Sequence, residues 1–151
     1  MKRTKKTITA ILLILTLICT TMLTGCSEMS SAADVTVKDF TDAIANEDYE
    51  KALSLMHPSY RSDVNKLSDS IANVEQTLGI DFSNGVEFES TVGVHVYFGL
   101  NFPLGPLTET TMTYYITVGS VKIEMQAAVV NSFGGSGISA FICKNRTVTV
   151  V

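Results

Sequence analysis

From residue 34 to residue 78 the apolar positions recur at helical spacing, and from residue 85 onward they alternate. Phe40, Ala43 and Ile44, followed by Ala52, Leu53, Leu55 and Met56, fit one face of a 3.6-residue period. Asn46, Glu47 and Asp48 interrupt them, and the Asp48 carboxylate can accept from the open N–H groups of a helix starting at Tyr49. Residues 34–56 therefore predict two short helices or one with a bend. His57-Pro58 ends the run, because the proline ring disfavours helical geometry in the residue before it. Val64, Leu67, Ile71, Val74 and Leu78 then form one narrow apolar stripe, with Asp63 or Ser62 to cap its start and Gly79 to stop it. Such a stripe suits packing onto a sheet.

In the alternating part, Val86, Phe88, Val92, Val94, Val96 and Phe98 fall on one side, and Glu87, Glu89, Thr91, His95 and Tyr97 on the other. Gly119-Ser120 is a two-residue turn for a tight hairpin. Strands paired across it set Val118 against Val121, Ile116 against Ile123, Tyr114 against Met125 and Met112 against Ala127, an apolar face throughout. A slip of one residue would exchange the faces, so this register is strongly specified. A glycine-rich loop is expected over residues 131–137. A last strand follows from Ile138, with Ile138, Ala140 and Ile142 on one face, Phe141 and Cys143 on the other, and a bulge or bend at residues 144–146. The segment Gly99-Leu-Asn-Phe-Pro-Leu-Gly-Pro106 is apolar for a connection, and Phe102 within it could dock a partner or fold over the sheet edge. Helices first, then four antiparallel strands, make an α+β class: N-terminal helices on a curved four-stranded sheet.

The first 25 residues follow another pattern. Lys2, Arg3, Lys5 and Lys6 precede an uncharged run from Ile8 to Leu23 that is rich in leucine and isoleucine and broken by threonines. The run is short for a spanning helix, which wants roughly 20 apolar residues. It ends in Leu23-Thr24-Gly25-Cys26. That tetrapeptide, after a basic start and an apolar core, resembles the bacterial lipobox. The resemblance implies a signal peptide over residues 1–25, a lipid-modified Cys26, a polar tether over 26–33 and one domain over 34–151. It also implies anchoring to the outer side of the bacterial cell membrane, with membrane lipid as a partner through Cys26.

Cleavage there changes the charge. Of 11 Lys and Arg, four leave with the signal, and the 7 that remain face 15 Asp and Glu, a net charge of −8. So acidic a domain is a poor partner for nucleic acid, whose phosphates need cations. Of the three cysteines, Cys19 would leave and Cys26 would carry lipid, so Cys143 stands alone and no disulfide within the domain is expected.

The chemistry-bearing residues are few. His95 sits on the polar strand face with Glu87, Glu89 and Tyr97, where a solvated ring is the plain reading. A metal or catalytic role for it would need partners from other strands. His57, at a helix end, reads as a capping residue against the negative end of the helix dipole. Tyr114 is the one clear polar tip on the apolar hairpin face. Metal, nucleotide and nucleophile-elbow motifs are all missing, so no metal ligand, cofactor or catalytic residue is assigned.

The helix pair from Val37-Lys-Asp-Phe40 through Asp48-Tyr-Glu-Lys-Ala-Leu53 to His57-Pro58, ahead of a sheet, resembles exported members of the nuclear-transport-factor-like, cystatin-like cone superfamily. Its enzymes place an Asp and polar partners inside the cone. The inward face here is apolar apart from Tyr114, which points away from catalysis, since proton transfer needs a titratable group within reach. The expected function is a lipid-anchored, non-catalytic binding or assembly module with an envelope protein partner, and Tyr114, His95 and Phe102 are its candidate contacts. The alternative is a small-molecule enzyme or hydrophobic-ligand carrier with a pocket inside the cone.

Overall fold

A computed structural model describes residues 30–101 and 105–146, without the side chains of residues 100, 101, 105 and 106. Cys26, Phe102 and residues 1–25, where a signal peptide is expected, lie outside the described residues. Contacts group the chain into Met1–Ala32 and Ala33–Val151. In the first unit the described residues, 30–32, are helical. The second unit has three helices packed on an open four-stranded antiparallel sheet, an α+β arrangement.

Helix α1, described over residues 30–45, is followed by Glu47 in a left-handed backbone with φ 56°. Its buried side is Ala33, Val37, Phe40 and Ile44, spaced by alternate steps of four and three. Helix α2 (Tyr49–Leu55) starts where the sequence predicts, with Asp48 Oδ1 accepting from Lys51 N at 3.0 Å. Its far end is closed from outside: Arg61 donates to the carbonyls of Ser54 (2.6 Å) and Met56 (2.9 Å). A cation there also meets the negative end of the helix dipole. Helix α3 (Val64–Leu78) begins at an Asp63 cap and stops at left-handed Gly79, φ 65°. Leu67 and Ile71 are its buried residues, and Val74 and Leu78 pack at the margin of the core.

The strands β1 (Val86–Asn101), β2 (Gly105–Val118), β3 (Val121–Ser132) and β4 (Gly135–Asn145) lie side by side in chain order. The β2–β3 pairing is the one the turn predicts, held from Val118 opposite Val121 to Thr108 opposite Asn131. Met112, Tyr114, Ile116, Val118, Ile123, Met125 and Ala127 are all buried against the helices. Phe40 on α1 meets Phe141 on β4 edge-on at 5.4 Å and so joins the layers, while Phe88 meets Tyr114 at 5.2 Å between neighbouring strands.

Elsewhere the structure corrects the alternation. β1 is out of register at two places, between Phe88 and Ser90 and between Thr91 and Gly93. Each shift adds one residue to β1. Thr91, expected on the outer face, lies opposite buried Tyr114, and Val92, expected on the apolar face, falls in the second shift. Because two insertions restore the parity of the pleat, Val94 and Val96 regain the helix side, opposite Met112 and Thr110. In β4 the shift sits between Ala128 and Val129 of the partner strand, so Ser139 is the extra residue. Ile138 therefore shares the helix side with Phe141 and Cys143, and Ile142 is exposed on the other face, against the expected grouping. The predicted interruption at residues 144–146 is instead paired strand as far as Asn145, opposite Ile123. The expected glycine-rich loop is a tight hairpin, since Ser132 pairs with Gly135 and only Phe133 and Gly134 turn. The expected connection over residues 99–106 is also largely strand, with pairing continuing to Asn101 opposite Gly105.

Candidate functional site

Among the described residues four polar side chains are buried in the interior: Thr41, which donates to Val37 O within its own helix, and three more. Tyr114, on β2, is buried, and its hydroxyl donates to Asp34 Oδ1 on α1 at 2.9 Å, with Met112 Sδ at 3.1 Å. The other Asp34 oxygen is taken by Lys38 at 2.8 Å, and the Lys38 ammonium lies over the Phe88 ring. Burial, and then the Asp34 carboxylate that its hydrogen bond serves, push the Tyr114 phenol above its ordinary range. It stays a neutral donor, and both carboxylate oxygens beside it are engaged. The arrangement ties α1 to β2.

His57 is the second. It is buried, as the sequence does not indicate, and it caps the short 3-10 turn Pro58–Tyr60 that follows it rather than the helix before it. Its Nδ1 accepts from Ser59 N at 3.2 Å, which leaves the ring proton on Nε2, 2.9 Å from Ser132 Oγ. The imidazole thus donates to Ser132. A general base for a serine nucleophile would accept from it, so the pair has the wrong polarity for acyl chemistry. Ser132 Oγ also accepts from Gly134 N at 3.1 Å. The pair fastens the segment after α2 to the β3–β4 turn.

Thr110 is the third. It is fully buried on the helix side of β2, between Val96 and Val129, and its hydroxyl has no hydrogen-bond partner among the described residues.

Tyr114 and His95 do not meet. His95 is exposed and pairs with Thr111, on the sheet face opposite to Tyr114. Cys143 packs at the edge of the core, where burial pushes its thiol up to about 12, so it is a thiol and no nucleophile at neutral pH. Among the described residues no group of three or more His, Cys, Asp or Glu side chains is placed to hold a metal ion.

A cavity of about 200 Å³ opens between α3 and β4, lined by Phe40, Leu67, Ile71, Val74, Ile138 and Phe141 among others. The serines at its rim are turned to the backbone: Ser70 donates to Lys66 O and Ser139 to Ala128 O. The space is smaller than the roughly 300–1,000 Å³ of ordinary ligand pockets and lacks convergent polar groups.

The remaining feature is a surface. β3 stops pairing with β2 at Asn131 opposite Thr108, but β1 and β2 continue together to Asn101 and Gly105. The end of this hairpin forms an arm past the last β3 pair. Approaching it, Val92 (46% exposed), Val94 (41%), Tyr97 (64%) and Phe98 (60%) are open to solvent on both sides of β1. Exposed apolar side chains this closely spaced are unusual unless something covers them. The sequence hides this, because a face that alternates correctly gives no sign of whether a helix reaches it.

Compared with protein-family models, with curated proteins and with solved structures, the chain finds no match in any of the three.

Proposed function

We propose that this chain is an exported lipoprotein, held to the outer side of the bacterial membrane by a lipid on Cys26, whose α+β domain is a non-catalytic binding or assembly module for an envelope protein. We read the domain as a cystatin-like cone, a reading supported by the order of helices before a four-stranded meander. The exposed apolar run Val92, Val94, Tyr97 and Phe98 on β1, leading up to the arm, carries the binding reading. The interior supports it from the other side, since Tyr114, Asp34, His57 and Ser132 are satisfied by one another in cross-links between elements. Catalysis would need a titratable group left to act on a substrate.

The test places a photoreactive benzoylphenylalanine at Phe98 in the full chain, in intact cells. The expected result is one discrete covalent adduct, lost when Tyr97→Asp is added. A chain that is exported and folded yet gives no adduct would overturn the binding reading. In the same cells Cys26→Ser should abolish palmitate labelling, and unchanged labelling of that variant ends the anchoring reading.

A further inference from the structure

Among the described residues β1 is an edge strand, with β2 as its sheet neighbour. Exposed edges invite another strand and are normally blunted by charges, prolines or bulges. The first half of β1 is protected in this way: Glu87 and Glu89 carry charge and both register shifts fall before Gly93. Residues 93–99, Gly-Val-His-Val-Tyr-Phe-Gly, have none of these devices. They hold no Lys, Arg, Asp, Glu or Pro, and their pairing to β2 is regular throughout.

Resting on the binding-module reading above, we infer that the occupant of this edge is a second copy of the chain. Residues 93–99 of the two copies pair antiparallel about a two-fold axis at Val96. The segment is its own complement in that register. Val96 faces Val96, Val94 faces Phe98, His95 faces Tyr97, and Gly93 faces Gly99. A two-fold axis normal to the sheet keeps the helix sides together. The exposed Val94 and Phe98 of each copy then cover one another, a β-branched against aromatic pairing that stabilises sheets. Charge agrees with this occupant. Two acidic chains would meet along the one stretch of β1 that bears no carboxylate, while Glu89 lies outside the paired segment and is already bound by Lys122 and Arg146. Seven residues of strand bury less than the roughly 800 Å² per partner of a standard interface, so the pairing is weak in dilute solution. Lipid anchoring in one plane raises the local concentration to where a weak contact fills.

Single cysteines at positions 94 to 98 of the full chain, oxidised in intact cells, test the pairing. Only the residue on the axis faces itself, at a Cα separation of about 4.5–5.5 Å that a disulfide spans. Val96→Cys should give a dimer band several-fold above the other four positions and above the unsubstituted chain, which reports any background from its own cysteines. Adding Val94→Lys should remove that band, and combining Val94→Cys with Phe98→Cys should restore a cross-link at the flanking pair. A flat profile, a maximum elsewhere, or no dimer from Val96→Cys overturns the pairing. If the photoreactive adduct at Phe98 then has the mass of a different protein, the binding reading stands and self-pairing falls.

Discussion

Thr110 and Thr41 are both fully buried threonines with different outcomes. The Thr41 hydroxyl donates to Val37 O at 2.8 Å within its own helix. A strand offers no such local acceptor, and the Thr110 hydroxyl is left without a partner among the described residues. An unsatisfied buried hydroxyl costs about 1–3 kcal/mol. Thr110→Val, which keeps the shape and removes the polar atom, should therefore raise stability by about 1–2 kcal/mol in urea unfolding. A loss of stability would mean that the hydroxyl is hydrogen-bonded in solution. Residues whose partners are close in sequence were legible. Asp48 and Asp63 announce themselves as caps because the N–H groups they serve lie three residues on. His57 was misread because its partner, Ser132, is 75 residues away, and the Asp34 partner of Tyr114 is 80 away. No local pattern encodes such pairs.

At the scale of elements, the β2–β3 hairpin was readable to the residue because a two-residue turn fixes register and an apolar face checks it. The β1 and β4 faces were misread where single-residue insertions shift the pleat, which composition does not mark. One packing contact depends on a missing side chain. At Gly137, next to Ile138 on β4, a Cβ would overlap the backbone of Leu55, Met56 and His57. There the segment after α2 runs alongside β4, with His57 N donating to Ile138 O at 2.9 Å. Backbone on both sides cannot yield as a flexible side chain would. Gly137→Ala should destabilise the protein by about 3 kcal/mol, at the upper end for overpacking. Thermal unfolding would show this, and an unchanged midpoint would mean that the end of α2 does not sit on β4.

Over the molecule as a whole, one carboxylate on the sheet face away from the helices reaches side chains from β2, from β3 and from just past β4, while Glu124 separately bridges β3 to Lys144 on β4. Glu89, on β1, accepts from Thr117 on β2 and Lys122 on β3, and Arg146, just past β4, reaches its second oxygen. The Arg146 guanidinium also stacks on Tyr115 at 3.9 Å. The hydrogen bonds from Lys122 and then Thr117 hold the Glu89 carboxyl below its ordinary range. A depressed carboxylate stabilises the fold above its unfolded pKa, and that contribution disappears as pH falls through the folded value. Glu89→Gln should accordingly melt below the parent protein at neutral pH, and the two should converge in acid; a gap that persists in acid would assign the loss to packing. Glu89 can reach across because it occupies the first of the two shifts in β1. Those paired insertions also set which changes of length the strand survives. Deleting the extra residue of one shift, Glu89 or Val92, would remove that bulge and leave Val94, Val96 and Phe98 opposite Met112, Thr110 and Thr108 as before. Deleting both would leave an unbroken ladder, so this segment can lose one residue at each shift without exchanging the faces beyond it, whereas a loss within the regular stretch 93–99 has no bulge to absorb it.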